Sequence, residues 1–207
     1  MMLQQTHVER VVPRYLAWLQ RWPTVESLAA ARRMDVIREW QGLGYNRRAV
    51  NVHRAAQQVA ENGWPDDLTE LPGVGRYTAD AVACFALGRD VLPRDVNVNR
   101  VLERTGMQFG ADSAQALMDL GATVCVARIP RCGSCPLAVG CPSRGKRYEP
   151  RRNQGPFEGS FRQRRAQVLR TVAASPRDVS ELDFEALSAL EADGLVEVRH
   201  GTARLPA

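Results

Sequence analysis

The chain lacks two features that would place it in or across a membrane. It has no uninterrupted run of about 18 apolar residues, which excludes an ordinary transmembrane helix. Its N-terminal segment has no signal-peptide pattern, so we expect a cytoplasmic protein without disulfides. It also has no internal repeat of solenoid type.

The composition is that of a soluble globular protein with a modest positive charge. A length of 207 residues allows one domain and a small second one. The net charge of +5, with a pI near 9.3, favours a polyanionic partner but is a weak signal by itself.

Up to Cys141 the hydrophobic pattern is helical, with no clear alternation of strand type. One helix face is formed by Val8, Val11, Val12, Tyr15, Leu16 and Leu19. Pro23 ends this helix and Thr24 can cap the next. We predict further helices over 24–32, 34–40 and 47–62 (with Gly63 as its stop), after Gly75, after Pro93, and from Ser113 into a cysteine-rich loop.

After Cys141 the composition changes to a basic segment and then to a small module. Residues 143–170 hold nine lysines and arginines, and Pro150, Gly155, Pro156 and Gly159 indicate a linker over 143–160. Over 161–207 we predict two or three helices, one of them over 184–192, and a hairpin that turns at His200-Gly201. This pattern favours a small winged-helix-like module; the alternative is a solvated basic linker and tail.

Four cysteines lie within seventeen residues, in the pattern C-x6-C-x2-C-x5-C: Cys125, Cys132, Cys135 and Cys141. Thiolates are soft anionic ligands, and four from one loop can hold one metal centre. Structural zinc sites usually come as two CxxC pairs, whereas only Cys132 and Cys135 are so spaced here. The spacing favours a [4Fe-4S] cluster; zinc and unligated cysteines are the alternatives.

The segment LPGVGRYTA at 71–79 joins two predicted helices. Gly73 and Gly75 allow a tight turn and a close approach of the backbone to a ligand. The amides that follow open a helix, whose N-terminus favours an anion such as a DNA phosphate. Further along, Asp95 on its own is typical of a helix N-cap.

In combination these pieces resemble the helix-hairpin-helix DNA glycosylases with an iron–sulfur cluster, and most closely the MutY-type adenine glycosylases. Five segments carry the resemblance, in family order over roughly residues 1–142: MLQQT at 2–6, GLGY at 42–45, LPGVGRYTA at 71–79, DVNVNRV at 95–101, and MDLGATVC at 118–125 with the later cysteines. The resemblance implies a mainly α fold of that type over 1–142, with a [4Fe-4S] cluster loop, followed by the linker and the module.

The resemblance also implies roles for single residues. Gln5 and Tyr45 match residues that insert into the duplex beside an extruded base. Asp95 matches the carboxylate that stabilises the positively charged sugar as the base leaves, and Tyr77 belongs to the same catalytic site. The expected DNA contacts are Gln5, Thr6, Leu43, Tyr45, Gly73, Gly75, Arg76, Thr78 and Asn97, and the expected cluster ligands are Cys125, Cys132, Cys135 and Cys141.

Position 77 bears on mechanism. Relatives of endonuclease III type carry a lysine there that attacks the sugar and forms a Schiff base. Because this chain has Tyr77, the resemblance implies a monofunctional, hydrolytic glycosylase that removes adenine opposite 8-oxoguanine or guanine.

We expect a monomer that binds double-stranded DNA with a mismatched or oxidised base pair, is associated with the nucleoid if the source is bacterial, and has no membrane partner.

Three departures in length and one in a single residue, Arg94, separate the chain from the family pattern and open alternatives. The family's general-acid glutamate falls one residue before Met1, so we expect the chain as written to be nearly inactive and the preceding in-frame codons to encode a glutamate and a further helix. The segment between Arg104 and Leu117 is shorter than in the family, which predicts exposed apolar surface, and residues 160–207 are far smaller than the usual C-terminal domain. Arg94 also replaces a small apolar residue. The alternatives are a thymine or uracil mismatch glycosylase and a catalytically dead DNA-binding remnant.

Overall fold

The computed structural model describes residues 1–149 and 155–207, and in these ranges the protein is mainly helical. The helices are α1 (Val8–Arg21), α2 (Val25–Ala29), α3 (Arg33–Trp40), α4 (Arg47–Asn62), α5 (Arg76–Phe85), α6 (Val96–Thr105), α7 (Ala114–Thr123), α8 (Phe161–Ala174) and α9 (Phe184–Ala192). The strands are β1 (Arg177–Asp178), β2 (Glu197–Arg199) and β3 (Thr202–Arg204). The predicted order of helices is confirmed.

Local capping sets several helix bounds where the sequence predicts them. The Thr24 hydroxyl accepts a hydrogen bond from the Ser27 amide (3.2 Å), and the Ser27 hydroxyl accepts one from the Thr24 amide (3.1 Å), which forms a capping box for α2. Helix α4 ends at Asn62, and its C-cap is Gly63, whose φ of 78° is strained for other residues. These short-range signals explain why the predicted bounds are close to the observed ones.

The chain forms two compact units: Met1–Val74 with Gly155–Ala207, and Gly75–Gln154. The predicted division into 1–142, 143–160 and 161–207 stays a prediction, because the units follow spatial packing rather than motif order. Within the predicted linker, residues 150–154 lie outside the described part of the chain.

The first unit joins the two ends of the chain in one hydrophobic core. Helices α3 and α4 contribute Val36, Ile37, Trp40 and Val50, and the C-terminal segment contributes Leu169, Leu190, Leu195 and Ala203, among others. The Arg38 Nε donates to the Ala173 carbonyl (3.3 Å), and Arg47 pairs with Asp193 (3.4 Å). Residues 155–207 therefore belong to the structural unit that holds α1–α4.

The C-terminal segment carries an antiparallel sheet of order β1-β3-β2, with Val198 opposite Ala203 and Arg177 opposite Ala203 on the other side. The predicted hairpin is confirmed: His200 (φ 50°) and Gly201 (φ 75°) form its turn. Strand β1 was not predicted, because it is two residues long and both are exposed, so it has no hydrophobic alternation.

Helix α1 is confirmed, but most side chains of the apolar face that the sequence predicts are exposed to solvent instead of buried. Val11 is buried with Trp18, whose ring lies edge-on to Trp22 and Trp40 with centroids 4.7 and 5.6 Å away. The rest of the predicted face is 40–58% exposed: Val8, Val12, Tyr15, Leu16 and Leu19. No helix in the described ranges is both long and apolar enough to span a bilayer.

The second unit packs α6 against α7 over a small core of Val98, Val101, Leu117 and Cys125. Gly121 permits this close approach, because a Cβ at that position would lie 2.8 Å from the Asn97 Cβ and 3.0 Å from its backbone. The contact brings the start of α6 next to the segment that enters the cysteine loop.

Candidate functional site

In the first unit, the segments MLQQT and GLGY form adjoining loops. Gln5 (φ 56°) and Tyr45 (φ 46°) both have left-handed backbone conformations, which cost non-glycine residues on the order of 1 kcal/mol. Gln5 is exposed, and Tyr45 is 44% exposed. The Thr6 hydroxyl donates to the Leu43 carbonyl (3.1 Å) and so links the two loops. The two residues predicted to insert into DNA are thus presented from one structural unit.

Leu43 is only 2% exposed, so its side chain packs in the core. Its carbonyl accepts hydrogen bonds from Thr6 and Arg48. The structure therefore gives Leu43 a structural position, and its buried side chain does not fit the predicted DNA contact.

Gly73 lies against the same loops. Its φ is 78°, and an added Cβ would lie 2.6 Å from the Met1 side chain and 2.8 Å from the Asn51 Cβ. Its carbonyl accepts a hydrogen bond from the Gln4 side chain (3.1 Å). Both the conformation and the space at this position require glycine.

In the second unit, α5 begins at the end of the LPGVG segment with Gly75 as its N-cap. Arg76 is exposed and pairs with Asp80 (3.6 Å), and Thr78 lies in the same first turn. The first amides of a helix carry a partial positive charge, and no side chain in the described part of the chain caps this end. The arrangement suits an anion.

Tyr77, also in the first turn of α5, is 40% exposed. Burial, and secondarily the Asp95 carboxylate, raise the pKa of its phenol above the ordinary value. Tyr77 therefore stays protonated and neutral at physiological pH. Its predicted inability to act as an amine nucleophile follows from its chemistry alone.

Asp95 caps α6 and is held by three hydrogen bonds. One carboxylate oxygen accepts from the amides of Asn97 (2.9 Å) and Val98 (2.7 Å), and the other accepts from the Asn97 side chain (2.9 Å). The cap expected from the sequence is confirmed, and it fixes the carboxylate in one orientation. Arg94, the preceding residue, is exposed and forms no ion pair with Asp95.

A hydrogen-bonded path leads from Asp95 to the cysteine loop. The side-chain Oδ1 of Asn97 accepts from Arg100 Nη2 (2.8 Å), which also donates to the backbone carbonyl of Gly121 (2.7 Å), while Arg100 Nε donates to the backbone carbonyl of Cys125 (2.7 Å). Both polar atoms of the Asn97 side chain thus have partners inside the unit, Nδ2 through one of its two N–H groups, and its role as a DNA contact stays a prediction.

The four cysteines line one pocket of the second unit. Its walls include three arginines and several apolar residues: Arg104, Arg131, Arg144, Val101, Leu120, Val124, Pro130 and Ala138. Burial raises the pKa of the Cys125 thiol, while Arg104 and Arg100 oppose that rise. The Gly145 amide donates to the Cys132 sulfur (3.2 Å).

This donor set fits a sulfur-bound anionic cofactor. Among the described residues, no three His, Cys, Asp or Glu side chains are close enough together to hold one metal ion. A [4Fe-4S] cluster has one thiolate per iron, so its ligands surround a larger space than those of a single ion. The surrounding arginines and the amide at Cys132 are groups that stabilise negative charge on sulfur.

A family model for HhH-GPD superfamily base excision DNA repair proteins matches residues 1–124, more than half of the chain. The chain belongs to this superfamily. The match contains the segments that carry Gln5, Tyr45, Gly73 and Asp95.

Curated relatives of this HhH-GPD protein include the adenine DNA glycosylase of Mycolicibacterium smegmatis, which is 39% identical over 95% of this chain and 81% of the relative. The adenine DNA glycosylase of Mycobacterium tuberculosis is 40% identical over 94% of this chain and 79% of the relative. The first alignment spans 241 residues, more than the 207 of this chain, so that relative has internal residues that this one lacks.

Solved structures show the fold. A thermostable thymine-DNA glycosylase superposes with a TM-score of 0.61 at 23% identity, covering 68% of this chain and 79% of the other. Endonuclease III in a trapped DNA intermediate gives 0.61 at 24% identity with the same coverage. The predicted mainly α helix-hairpin-helix fold is confirmed.

Two residues of this HhH-GPD protein that organise the site were not predicted from the sequence, Arg48 and Arg100. Both are buried, with 7% exposure each, although arginine is rarely buried. For Arg100 a signal was present: it follows Asn97 by three residues, on the same face of α6. Arg48 has no comparable local signal.

Proposed function

We propose that this HhH-GPD protein is a monofunctional adenine DNA glycosylase, acting on adenine opposite 8-oxoguanine or guanine in double-stranded DNA. The observation that carries the proposal is the 39% identity to an adenine DNA glycosylase across 95% of the chain. The protein acts as a monomer on cytoplasmic DNA, in the nucleoid if the source is bacterial.

DNA binding is assigned to the two units by their chemistry. Gln5 and Tyr45 hold the gap left by the extruded base, whose unstacking costs a few kcal/mol. In the first unit, Gly73 lets the DNA backbone approach closely; in the second unit, Gly75, Arg76 and Thr78 hold a phosphate at the start of α5. Such contacts position the DNA without reading its sequence.

In the proposed reaction the bond between C1′ of the sugar and N9 of adenine breaks, and the electron pair leaves with the base. The Asp95 carboxylate stabilises the positive charge that develops on the sugar. Water then bonds to C1′ and loses a proton, which leaves an abasic site and free adenine. Adenine takes up one proton as it leaves, which balances the proton that water gives up, and a positioned acid accelerates this protonation step by about 10²–10⁴-fold.

The test of the function is adenine release from a duplex with adenine opposite 8-oxoguanine, by the 207-residue chain and by a chain extended with the preceding in-frame residues. Release by either chain supports the proposal, and we expect the extended chain to be the more active. Release of thymine from a thymine–guanine duplex instead, or DNA binding without release by both chains, contradicts it.

The cofactor in this proposal is a [4Fe-4S] cluster held by Cys125, Cys132, Cys135 and Cys141. When bound it supplies a rigid, charged anchor for the loop rather than a hydrolytic catalyst. The C-terminal segment is proposed to be a winged-helix-like module, on the basis of α8, α9 and the hairpin that follows them.

We expect no covalent complex with DNA when borohydride is added during the reaction. A Schiff base needs an amine, and the chain contains a single lysine, Lys146, while position 77 is tyrosine. The measurement is gel analysis of labelled duplex after borohydride treatment. Tyr77→Lys is the positive control and should give a trapped complex; a trapped complex with the unaltered chain would contradict the monofunctional mechanism.

Gly73→Ala is expected to weaken duplex binding about tenfold or more, because an alanine Cβ collides with Asn51 and its φ is unfavourable. The matched control is Gly63→Ala, which has the same φ of 78° but no atom within 4 Å of the added Cβ. Affinity measured by fluorescence anisotropy should fall only for Gly73→Ala. Equal losses for both variants would mean that backbone strain, rather than contact at the loop, is responsible.

A further inference from the structure

The guanidinium of Arg48 lies between the two loops of the first unit that carry Gln5 and Tyr45. Arg48 belongs to the first turns of α4 and is 7% exposed. A guanidinium has five N–H donors in a fixed planar fork. Its position allows it to bond both loops at once.

Each arm of the fork faces mainly one loop. Nη1 donates to the carbonyls of Met1 (3.0 Å), Met2 (3.0 Å) and Gln4, all in the first loop. Nη2 donates to the carbonyls of Leu43 (3.1 Å) and Gly44 (2.8 Å) in the second loop. Nη2 also reaches the Thr6 hydroxyl (2.9 Å), which itself bonds the Leu43 carbonyl.

The acceptors are uncharged. Among the residues that the structure describes, no carboxylate lies within hydrogen-bonding or ion-pair distance of Arg48. A buried cation is usually paired with an anion. Here the charge is instead stabilised by several backbone carbonyls of the two loops. In return, the hydrogen bonds from Arg48 hold the two loops in place.

Gln5 and Tyr45, the two non-glycine residues with left-handed backbone in these loops, lie next to the groups that accept hydrogen bonds from Arg48. Gln5 lies between two Arg48 acceptors, the Gln4 carbonyl and the Thr6 hydroxyl. Tyr45 follows Gly44, and its own carbonyl faces Arg48 Nε (3.4 Å). Left-handed backbone at such residues persists only where the surroundings hold it.

The ring of Tyr45 is held as well as its backbone. The Arg48 guanidinium carbon lies 5.5 Å from the Tyr45 ring centroid and 5.3 Å from that of Trp40. The indole of Trp40 donates to the Gly44 carbonyl (3.2 Å), which also accepts from Arg48. Arg48 thus fixes Tyr45 through both its main chain and its aromatic face.

We propose that Arg48 is a positioning residue that sets the spacing of Gln5 and Tyr45, and so the ability of the protein to hold a base pair open. The proposal rests on the proposed function for its substrate, duplex DNA. It assigns a role in base extrusion and none in bond cleavage. Lysine does not replace arginine here, because an ammonium is a point donor and does not bond two loops through separate arms.

The test compares Arg48→Lys with Val50→Ala, a substitution in the core on the same helix that serves as a control for stability. The probe is a duplex that carries 2-aminopurine beside the mismatched adenine. The fluorescence of 2-aminopurine rises when its neighbouring bases unstack. Duplex affinity, the fluorescence rise, the single-turnover rate of adenine release and the thermal midpoint are measured for each protein.

For Arg48→Lys we expect duplex affinity within about threefold of the unaltered chain, loss of most of the fluorescence rise, and release slowed by about 10–100-fold, as small displacements of positioning groups do. Val50→Ala should keep both the fluorescence rise and the rate, at temperatures where it is folded. A normal fluorescence rise for Arg48→Lys overturns the proposal. So does a loss of the fluorescence rise in Val50→Ala that equals the loss in Arg48→Lys, when the two variants have the same thermal midpoint.

Two further outcomes separate this proposal from the proposed function. If neither the 207-residue chain nor its extended form releases adenine although the duplex opens, the function fails, and the dependence of fluorescence on Arg48 still decides the proposal. If the unaltered chain binds the duplex without any fluorescence rise, Arg48 has no extrusion to support and the proposal fails. Should Arg48→Lys not fold, Thr6→Val, which removes one link between the loops, should give a smaller loss of fluorescence rise in the same direction.

Discussion

Asp95→Asn is expected to slow adenine release by about 10³-fold, the range seen when a preorganised charge is removed from a reacting centre. Asparagine is nearly the same size and its carbonyl oxygen can still accept from the amides of Asn97 and Val98, so the cap of α6 is retained. The charge that stabilises the cationic sugar is lost. Single-turnover release from the adenine–8-oxoguanine duplex measures the effect, with the substitution made in whichever of the two chains, the 207-residue or the extended one, releases adenine.

The matched control is Asp183→Asn. Asp183 also caps a helix through its carboxylate, with the Ala186 amide 2.9 Å away, but it lies at the start of α9 in the first unit. Its variant should release adenine at the unaltered rate. If Asp95→Asn loses less than about tenfold with an unchanged thermal midpoint, Asp95 serves as a cap alone.

The second large effect is expected on removing one cysteine of the pocket. Purified protein should contain about four irons and four sulfides per chain, and Cys135→Ala should contain few of either, because each iron of the cluster needs its own thiolate. The loop should then lose its order, since binding of a metal centre is coupled to local folding. We expect a thermal midpoint lower by roughly 5–10 °C and weaker DNA binding.

Cys84→Ala controls for the loss of a thiol as such. Cys84 lies on α5, outside the pocket, with its sulfur 3.9 Å from the Ala111 carbonyl. Its variant should keep the iron content and the visible absorbance of the unaltered protein. About one zinc per chain, with no iron after anaerobic purification, would contradict the cluster.

The sequence predicted the helices well because their signals are local. Periodicity, Thr24 and Gly63 act over a few residues and do not depend on the rest of the fold. The buried face of α1 depends on distant partners: Trp18 packs on Trp40, twenty-two positions away, and this contact outweighs the apolar residues nearer the start of the helix. Strand β1 exists only because β3 pairs with it.

In the candidate site too, the sequence predicted residues in local motifs but not those that act through distant contacts. Motifs identified the residues expected to face DNA or the sugar, but not the residues that hold them. Arg48 bonds to residues up to 47 positions away, and Arg100 reaches Cys125. For Asn97, the motif suggested an outward role, whereas its place between Asp95 and Arg100 turns both polar atoms inward.

The first unit is built from the two ends of the chain, and this has a consequence for its synthesis. The second unit is continuous, so all of its residues have been made before residues 155–207 are added. At about 5–20 residues per second, translation of that last segment takes roughly 3–10 s. During this time Val36, Ile37 and Val50 lack the partners that Leu169 and Leu195 provide in the finished core. A chain on which translation stops just before residue 155 would therefore have all the residues of its second unit, whereas core residues of its first unit would stay exposed to solvent and prone to aggregation.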